Sequence, residues 1–321
     1  MMPLAPLTHL LPHLLRTGSE QRLSVLSYHR VLLAPDAIRH ADPTVEKFSW
    51  QMEVIGKYFN PLPLSEAVER MANGTLPDRA VSITFDDGYA DNYTRALPVL
   101  QKWRVPATVF VATKYLDGGA MWNDRVIESV RAAIGDHLDL GAIGLDRNMA
   151  VTVENQARVA QDILTAIKHW DPQRREDAVD YISSLVGDPV CDLMLSREQL
   201  LKLHEAKVEI GGHTHSHPVL TAIDDERAAA EIMEGKERLE ALLGQRLKVF
   251  AYPNGKSQAD YSRRHRDMVK DAGFIAAVNT ELGVSSSRSD FFQLPRYTPW
   301  DATALRFLTR LHLARRNVIA N

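Results

Sequence analysis

The sequence predicts an α/β protein built on a parallel sheet, and three observations carry that expectation. Short apolar, β-branched runs recur between longer helical patterns: LSVLSYH (23–29), AVSITFD (80–86), ATVFVAT (107–113), VEIGGH (208–213), LKVFAYP (247–253) and FIAAVNT (274–280). Strand followed by helix, repeated, is the pattern of a parallel sheet with helical crossovers. The helical stretches carry their own punctuation. Residues 224–243 open on acidic side chains, place Ile232, Leu239 and Leu242 at helical spacing, and stop at Gly244. Finally, four of the strands end in unusual polar groups: His29, Asp86 with Asp87, His213 through His217, and Tyr252-Pro253-Asn254-Gly255. Parallel α/β folds gather function at the carboxyl ends of their strands, so these groups are expected on one face.

The length of 321 residues, with 45% hydrophobic and 25% charged content, fits one elaborated globular domain with a real core. We take residues 21–321 as that domain and 1–20 as an extension. The formal charge is 38 − 41 = −3 without long blocks of either sign, which argues against nucleic acid as a partner. Cys191 is the single cysteine, so neither an internal disulfide nor a cysteine-based metal site is available, and a small buried hydrophobe is its expected role. The first eighteen residues are apolar but interrupted by Pro3, Pro6 and Pro12 and lack a basic start. A secretory signal and a transmembrane segment are therefore not expected, and a cytoplasmic enzyme is, although Leu10 to Leu15 suit a membrane surface or a partner. Oligomeric state is left open.

Between 117 and 197 the strand signal disappears, and the residues read as amphipathic helices around 157–170 and 173–186. This helical insertion suits a lid or an oligomer contact. Trp122, at the head of Trp122-Asn123-Asp124-Arg125, and Trp300 suit a sugar-stacking wall or an acyl pocket, with burial in a core the ordinary fate of both. His204, His265 and His312 fall in helical patterns and are expected to be structural or solvated.

The motif HTHSH places His213 and His217 four residues apart directly after a strand. Two imidazoles from one turning segment can hold a divalent ion, although a solvated polar loop has the same signature. TFDDGY supplies a carboxylate partner. Asp86 and Asp87 follow a buried strand, and Gly88 permits the sharp exit that lets both face a site. Crowding two negative charges against apolar chain is costly unless a cation offsets it. One carboxylate with two histidines leaves a coordination position free for water, and the second carboxylate is free to act as a base.

These residues resemble the polysaccharide deacetylases of carbohydrate esterase family 4: TFDDGY looks like the first family motif and HTHSH like the second. The resemblance covers nearly all of the chain outside the insertion, and it implies a distorted (β/α) barrel of about seven strands. It assigns Asp86 as catalytic base and Asp87, His213 and His217 as metal ligands. The third motif lacks its arginine here and reads Ala251-Tyr252-Pro253-Asn254-Gly255; the backbone N–H of Asn254 would still donate to an oxyanion. The fifth motif, a leucine and histidine, is replaced by Gln293-Leu294-Pro295-Arg296. Tyr28-His29-Arg30-Val31 resembles a branch in which the histidine after the first strand is the general acid, which assigns that role to His29. Arg296 is a candidate to replace the lost arginine by orienting Asp86.

The activity so implied is metal-dependent removal of N-acetyl groups from an amino-sugar oligo- or polysaccharide, with Zn2+ as the ion and Co2+ or Ni2+ tolerable in the same site. A small non-carbohydrate amide on the same fold is the alternative substrate, and a non-catalytic carbohydrate-binding protein the alternative class. A haloacid-dehalogenase-type phosphatase needs its two aspartates separated by one residue, whereas here they are adjacent.

Overall fold

A computed structural model describes residues 21–145, 147–189 and 192–314. The extension 1–20, with Leu10 to Leu15, and Cys191 lie outside these described residues. Among the described residues no helix is long and apolar enough to cross a membrane.

In chain order the elements are β1 (Arg22–Tyr28), α1 (Val45–Tyr58), β2 (Asn60–Pro61), α2 (Leu64–Ala72), β3 (Ala80–Phe85), α3 (Leu97–Trp103), β4 (Ala107–Val111), α4 (Trp122–Ala132), β5 (His137–Leu138), β6 (Met149–Ala150), α5 (Gln156–Ile167), α6 (Pro172–Ser184), α7 (Arg197–Glu205), β7 (Glu209–Gly212), α8 (Asp225–Leu243), β8 (Val249–Ala251), α9 (Arg263–Asp271), β9 (Ala276–Val278), β10 (Ser285–Ser286) and α10 (Ala304–Ala314). All six apolar runs form strands, paired in parallel in the order β1-β3-β4-β7-β8-β9, while β10 lies antiparallel on β1 and β2 pairs with β3. Helix α8 is capped at the residues its sequence suggests: Asp224 accepts from the Arg227 N–H, and Gly244 closes it at φ 66°.

The sheet curls until its two edges are bridged by one extended segment. Leu294 pairs with Val278 of β9, and three residues later Tyr297 pairs with Leu26 of β1. Six parallel strands and this seventh segment give the distorted barrel expected from sequence. Period-two alternation sorts the side chains: Leu23, Val25, Phe110, Val249, Ala251, Val278 and Leu294 form one cluster with α2, while Leu26, Tyr28, Ile83, Phe85, Val109 and Ile210 pack with the outer helices.

The segment 117–197 is mainly helical but not strand-free. Residues of β5 and β6, too short to leave a periodic signal, pair antiparallel. The segment has its own apolar cluster, in which Val126 and Val130 of α4 meet Val159 and Ile163 of α5 and Val179 and Ile182 of α6. Trp122 is buried in that cluster, but Trp300 is half exposed, against the core expectation. Trp300 stacks on Arg310 at 4.7 Å instead, a contact that needs no burial.

Gly235 in the middle of α8 lies against the His213–His217 loop, and a Cβ there would sit 2.5 Å from the Thr214 carbonyl oxygen. Alanine at an ordinary helical glycine stabilises by about 1 kcal/mol. At this position the clash reverses the sign, so Gly235→Ala should lower stability by about 1–3 kcal/mol, read from a urea unfolding curve. A stabilised variant would mean that α8 does not set the position of the loop.

Candidate active site

Five of the sequence-assigned side chains and the Asn254 turn sit where the strands end, and the sixth, Arg296, comes from the closing segment. His29, Asp86, Asp87, His213, His217 and Asn254 line one cleft of about 600 Å³, and Arg296 lies buried at its floor against Asp86.

Several of the turns that place them are strained. Asp87 (φ 76°), Thr214 (φ 65°), His217 (φ 57°) and Asn254 (φ 60°) all occupy the left-handed region, each at a cost of order 1–3 kcal/mol. Thr214, being β-branched, is the most unusual of them. Gly88 turns left-handed as expected at φ 86°, yet Asp87 itself makes the first part of the exit and so swings its carboxylate beside that of Asp86.

Asp87 Oδ1 lies 3.3 Å from Nε2 of both His213 and His217, and the three candidate ligand atoms lie within 4.8 Å of one another. His213 Nδ1 is 2.7 Å from the Ala251 carbonyl, an acceptor that fixes a proton on Nδ1 and directs the Nε2 lone pair at Asp87. Burial pushes the His217 pKa down to about 3, which keeps that ring neutral. Burial also opposes charge on His213, but Asp87 and Asp86 outweigh it and raise its pKa. Asp87 is held well below the usual carboxylate range, because His213 and His217 offset the cost of its burial. Lone pairs facing one another across such a gap repel unless a proton or a cation lies between them, so these residues fit a divalent metal ion.

The loop that carries the histidines is held from behind. Glu231 of α8 accepts from the N–H of His215 (3.0 Å) and of Ser216 (2.7 Å), and the Thr214 hydroxyl accepts from the His217 N–H at 3.0 Å. His215, the third histidine of the motif, turns away to Thr113 at 2.8 Å and takes no part in the cluster.

Asp86 is paired separately. Arg296 donates through both terminal nitrogens, at 2.7 Å to Oδ1 and 2.6 Å to Oδ2, while its Nε donates to the Asn279 carbonyl at 2.8 Å. Burial would raise the Asp86 pKa, and the guanidinium overcomes it and holds the carboxyl below its ordinary value. On the other side His29 Nε2 stands 3.9 Å from Asp86 Oδ2 with its side chain 46% exposed. The β1 loop bearing His29 is fixed by Asn92 Nδ2, which donates to the His29 carbonyl at 2.9 Å, and by Asp91, which accepts from Arg30 and from the Val31 N–H. Asn92 begins a short π-helical turn, Asn92–Ala96, and π-turns recur at functional sites. Sequence reasoning missed this support, although TFDDGY runs straight into it. Asn254 lines the cleft; its carbonyl accepts from Thr280 Oγ1 at 3.1 Å, and its Nδ2 is buried without a partner.

The insertion forms a cleft wall. Trp122, Asn123 and Ile127 of α4 and Gln161, Leu164 and Thr165 of α5 line it, facing the loop that carries Ile38 and Asp42. Asp124, fully buried, receives Arg39 and the Tyr89 hydroxyl at 3.1 Å, and so ties α4 to the segment beside Asp87.

A parallel barrel with a buried carboxylate beside an aspartate and two histidines is the framework of a hydrolase. Residues 73–277 match the polysaccharide deacetylase family. The chain belongs to that family, whose members hydrolyse N-acetyl amide bonds. Among curated proteins it is 21% identical to YxkH of Bacillus subtilis (strain 168), across 88% of this chain and 73% of that one. It is 40% identical to the poly-beta-1,6-N-acetyl-D-glucosamine N-deacetylase of Escherichia coli (strain K12) over 123 residues, a match that spans 38% of this chain and 16% of the relative. In fold it is similar to the Streptococcus pyogenes deacetylase PplD in complex with acetate, with a TM-score of 0.60 and 18% identity, covering 92% of this chain and 99% of that one. IcaB from Ammonifex degensii gives 0.58 and 19%, covering 92% and 97%.

Because folding depresses the Asp86 pKa, its pairing adds stability above the unfolded carboxylate value and loses it as pH falls through the folded one. Arg296→Ala should therefore cost about 3–5 kcal/mol above that range. The Asp86 pKa should rise, shifting the acid limb of kcat/KM upward. An unmoved limb would detach Arg296 from Asp86.

Acidification should weaken metal uptake, because the raised pKa of His213 sets protons in competition with the ion while Asp87 and His217 stay in ligand form. Zinc titration in weakly buffered solution should release more protons the lower the starting pH; proton-free binding at every pH would contradict the ligand set.

Proposed function

We propose that the chain is a metal-dependent N-deacetylase of an amino-sugar oligo- or polysaccharide, with Asp87, His213 and His217 holding a divalent ion. The observation that carries this reading is the division of labour between adjacent carboxylates. Asp87 faces the two imidazoles, whereas Asp86, forked by Arg296, faces His29. Zinc suits one carboxylate and two neutral nitrogens, and cobalt or nickel is tolerable in the same set. Bound there, the ion supplies Lewis-acid polarisation of the acyl carbonyl and acidifies water.

Asp86 stays ionised through neutrality and accepts a proton as water adds to the acetyl carbon. Arg296 occupies one lone pair on each of its oxygens and leaves others for that proton. The Asn254 N–H donates to the oxyanion that develops. His29 then donates a proton to the departing nitrogen as the C–N bond breaks, which releases acetate and a free amine. Its exposure lets solvent restore the proton. The amino-sugar substrate is favoured by the 40% identity to the E. coli protein, whose name specifies poly-beta-1,6-N-acetyl-D-glucosamine, and by a cleft larger than a simple amide needs.

Zinc-loaded protein should release acetate from β-1,6-linked N-acetylglucosamine oligomers in preference to small amides. Asp86→Asn and His29→Ala should each lower kcat by about 10²–10⁴-fold. Full turnover in Asp86→Asn would remove the base from the scheme, and undiminished turnover in His29→Ala would move the acid elsewhere.

A further inference from the structure

The cleft is walled by contacts that join the insertion to the barrel on both of its flanks. On one flank Arg39, from the loop after β1, pairs with the buried Asp124 of α4. On the other, Lys168 at the end of α5 reaches Asp260, in the loop after β8, at 3.0 Å. Asp260 is 1% exposed, and its second oxygen accepts from the Lys256 N–H at 3.0 Å, two residues beyond Asn254. The contact with Lys168 is a charge pair rather than an aligned hydrogen bond. Lys168 is itself anchored, since its carbonyl accepts from Arg175 at 3.1 Å, and the buried Arg175 stacks on Trp122 at 4.7 Å.

Around the cleft, contacts run from Arg39 and Asp124 to the insertion, and from Lys168 through Asp260 to Lys256, beside the Asn254 turn. Thr280 extends it, donating its N–H to the Gly255 carbonyl at 2.9 Å. Between Thr280 and His29 the connection drops to the floor and passes through Arg296 and Asp86. A groove that accepts the middle of a polymer needs two open ends. Lys168 lines the cleft, and its pair with the buried Asp260 crosses from the insertion to the loop after β8 on that side.

Building on the amino-sugar reading, we infer that Lys168 and Asp260 are specificity-determining residues that make the cleft blind on the insertion side, so that the enzyme deacetylates the terminal unit of a saccharide rather than units within a long chain. The terminal sugar enters between Thr280 and His29, and the rest of the chain leaves by the same opening.

The test uses zinc-loaded full-length protein and a β-1,6-linked N-acetylglucosamine pentamer, with the deacetylated unit located by tandem mass spectrometry. Wild-type protein should remove acetyl groups from one end unit first. Asp260→Asn keeps an acceptor for the Lys256 N–H, and Lys168→Met keeps the aliphatic length of the lysine. Either should raise the ratio of internal to terminal deacetylation by about tenfold. Equal rates at all units in the wild type, or an unchanged ratio in both variants, would overturn the role of this pair. Absence of acetate from every oligomer would instead remove the amino-sugar reading on which it rests.

Discussion

Two carboxylates side by side on the floor of a barrel are an electrostatic problem, and the geometry of the site follows from how that problem is solved. Asp86 and Asp87 are 3% and 5% exposed, so water screens neither. Unit charges a few ångströms apart in such surroundings repel by several kcal/mol unless each has its own counter-charge. Asp86 takes the Arg296 guanidinium on both oxygens, whereas Asp87 faces the two imidazole nitrogens, and a cation held among the three would supply its counter-charge. The left-handed turn at Asp87 separates the two partnerships and leaves both oxygen pairs bordering one cleft.

Arg296 also links this solution to the fold. It sits between Leu294 and Tyr297, the residues that join β9 to β1, so the segment that closes the barrel delivers the counter-charge of Asp86. A lysine there would carry the charge but lose the fork that fixes the carboxylate plane. Barrel closure and orientation of the candidate base are therefore one structural event, and a loose closing segment would be felt first as a misaligned Asp86.

The residues expected in the site were legible because their signals are local. Asp86-Asp87-Gly88 and His213 through His217 each occupy a few consecutive positions after an apolar strand, and strand ends in a parallel sheet share a face. Arg296 was legible only as a gap in a familiar pattern that needed filling; nothing in its neighbours points to a residue 210 positions away. The supports of the site were not legible at all. Glu231 lies mid-helix among other acidic residues, and Asp91 and Asn92 resemble an ordinary polar turn, so their roles exist only once tertiary contacts form. Trp300 was misjudged because a stacked arginine satisfies a tryptophan face as well as a core does. The short pair β5–β6 escaped because two residues cannot display a period.

The insertion shows the same limit at a larger scale. Its amphipathic helices announce an apolar core of their own, and the sequence leaves open whether they face solvent, a second copy or the cleft. What decides is a set of long-range charge contacts, Arg39 with Asp124, Arg131 with Asp36 and Lys168 with Asp260, none of which has a sequence signature. Burying Asp124 and Asp260 without these partners would cost several kcal/mol each. Docking the insertion on the barrel rim satisfies those charges, and the same contacts shape the wall that a substrate meets. Docking of the insertion and the shape of the cleft thus rest on the same ion pairs, while Asp86, Asp87, His213 and His217 are placed from the strands below.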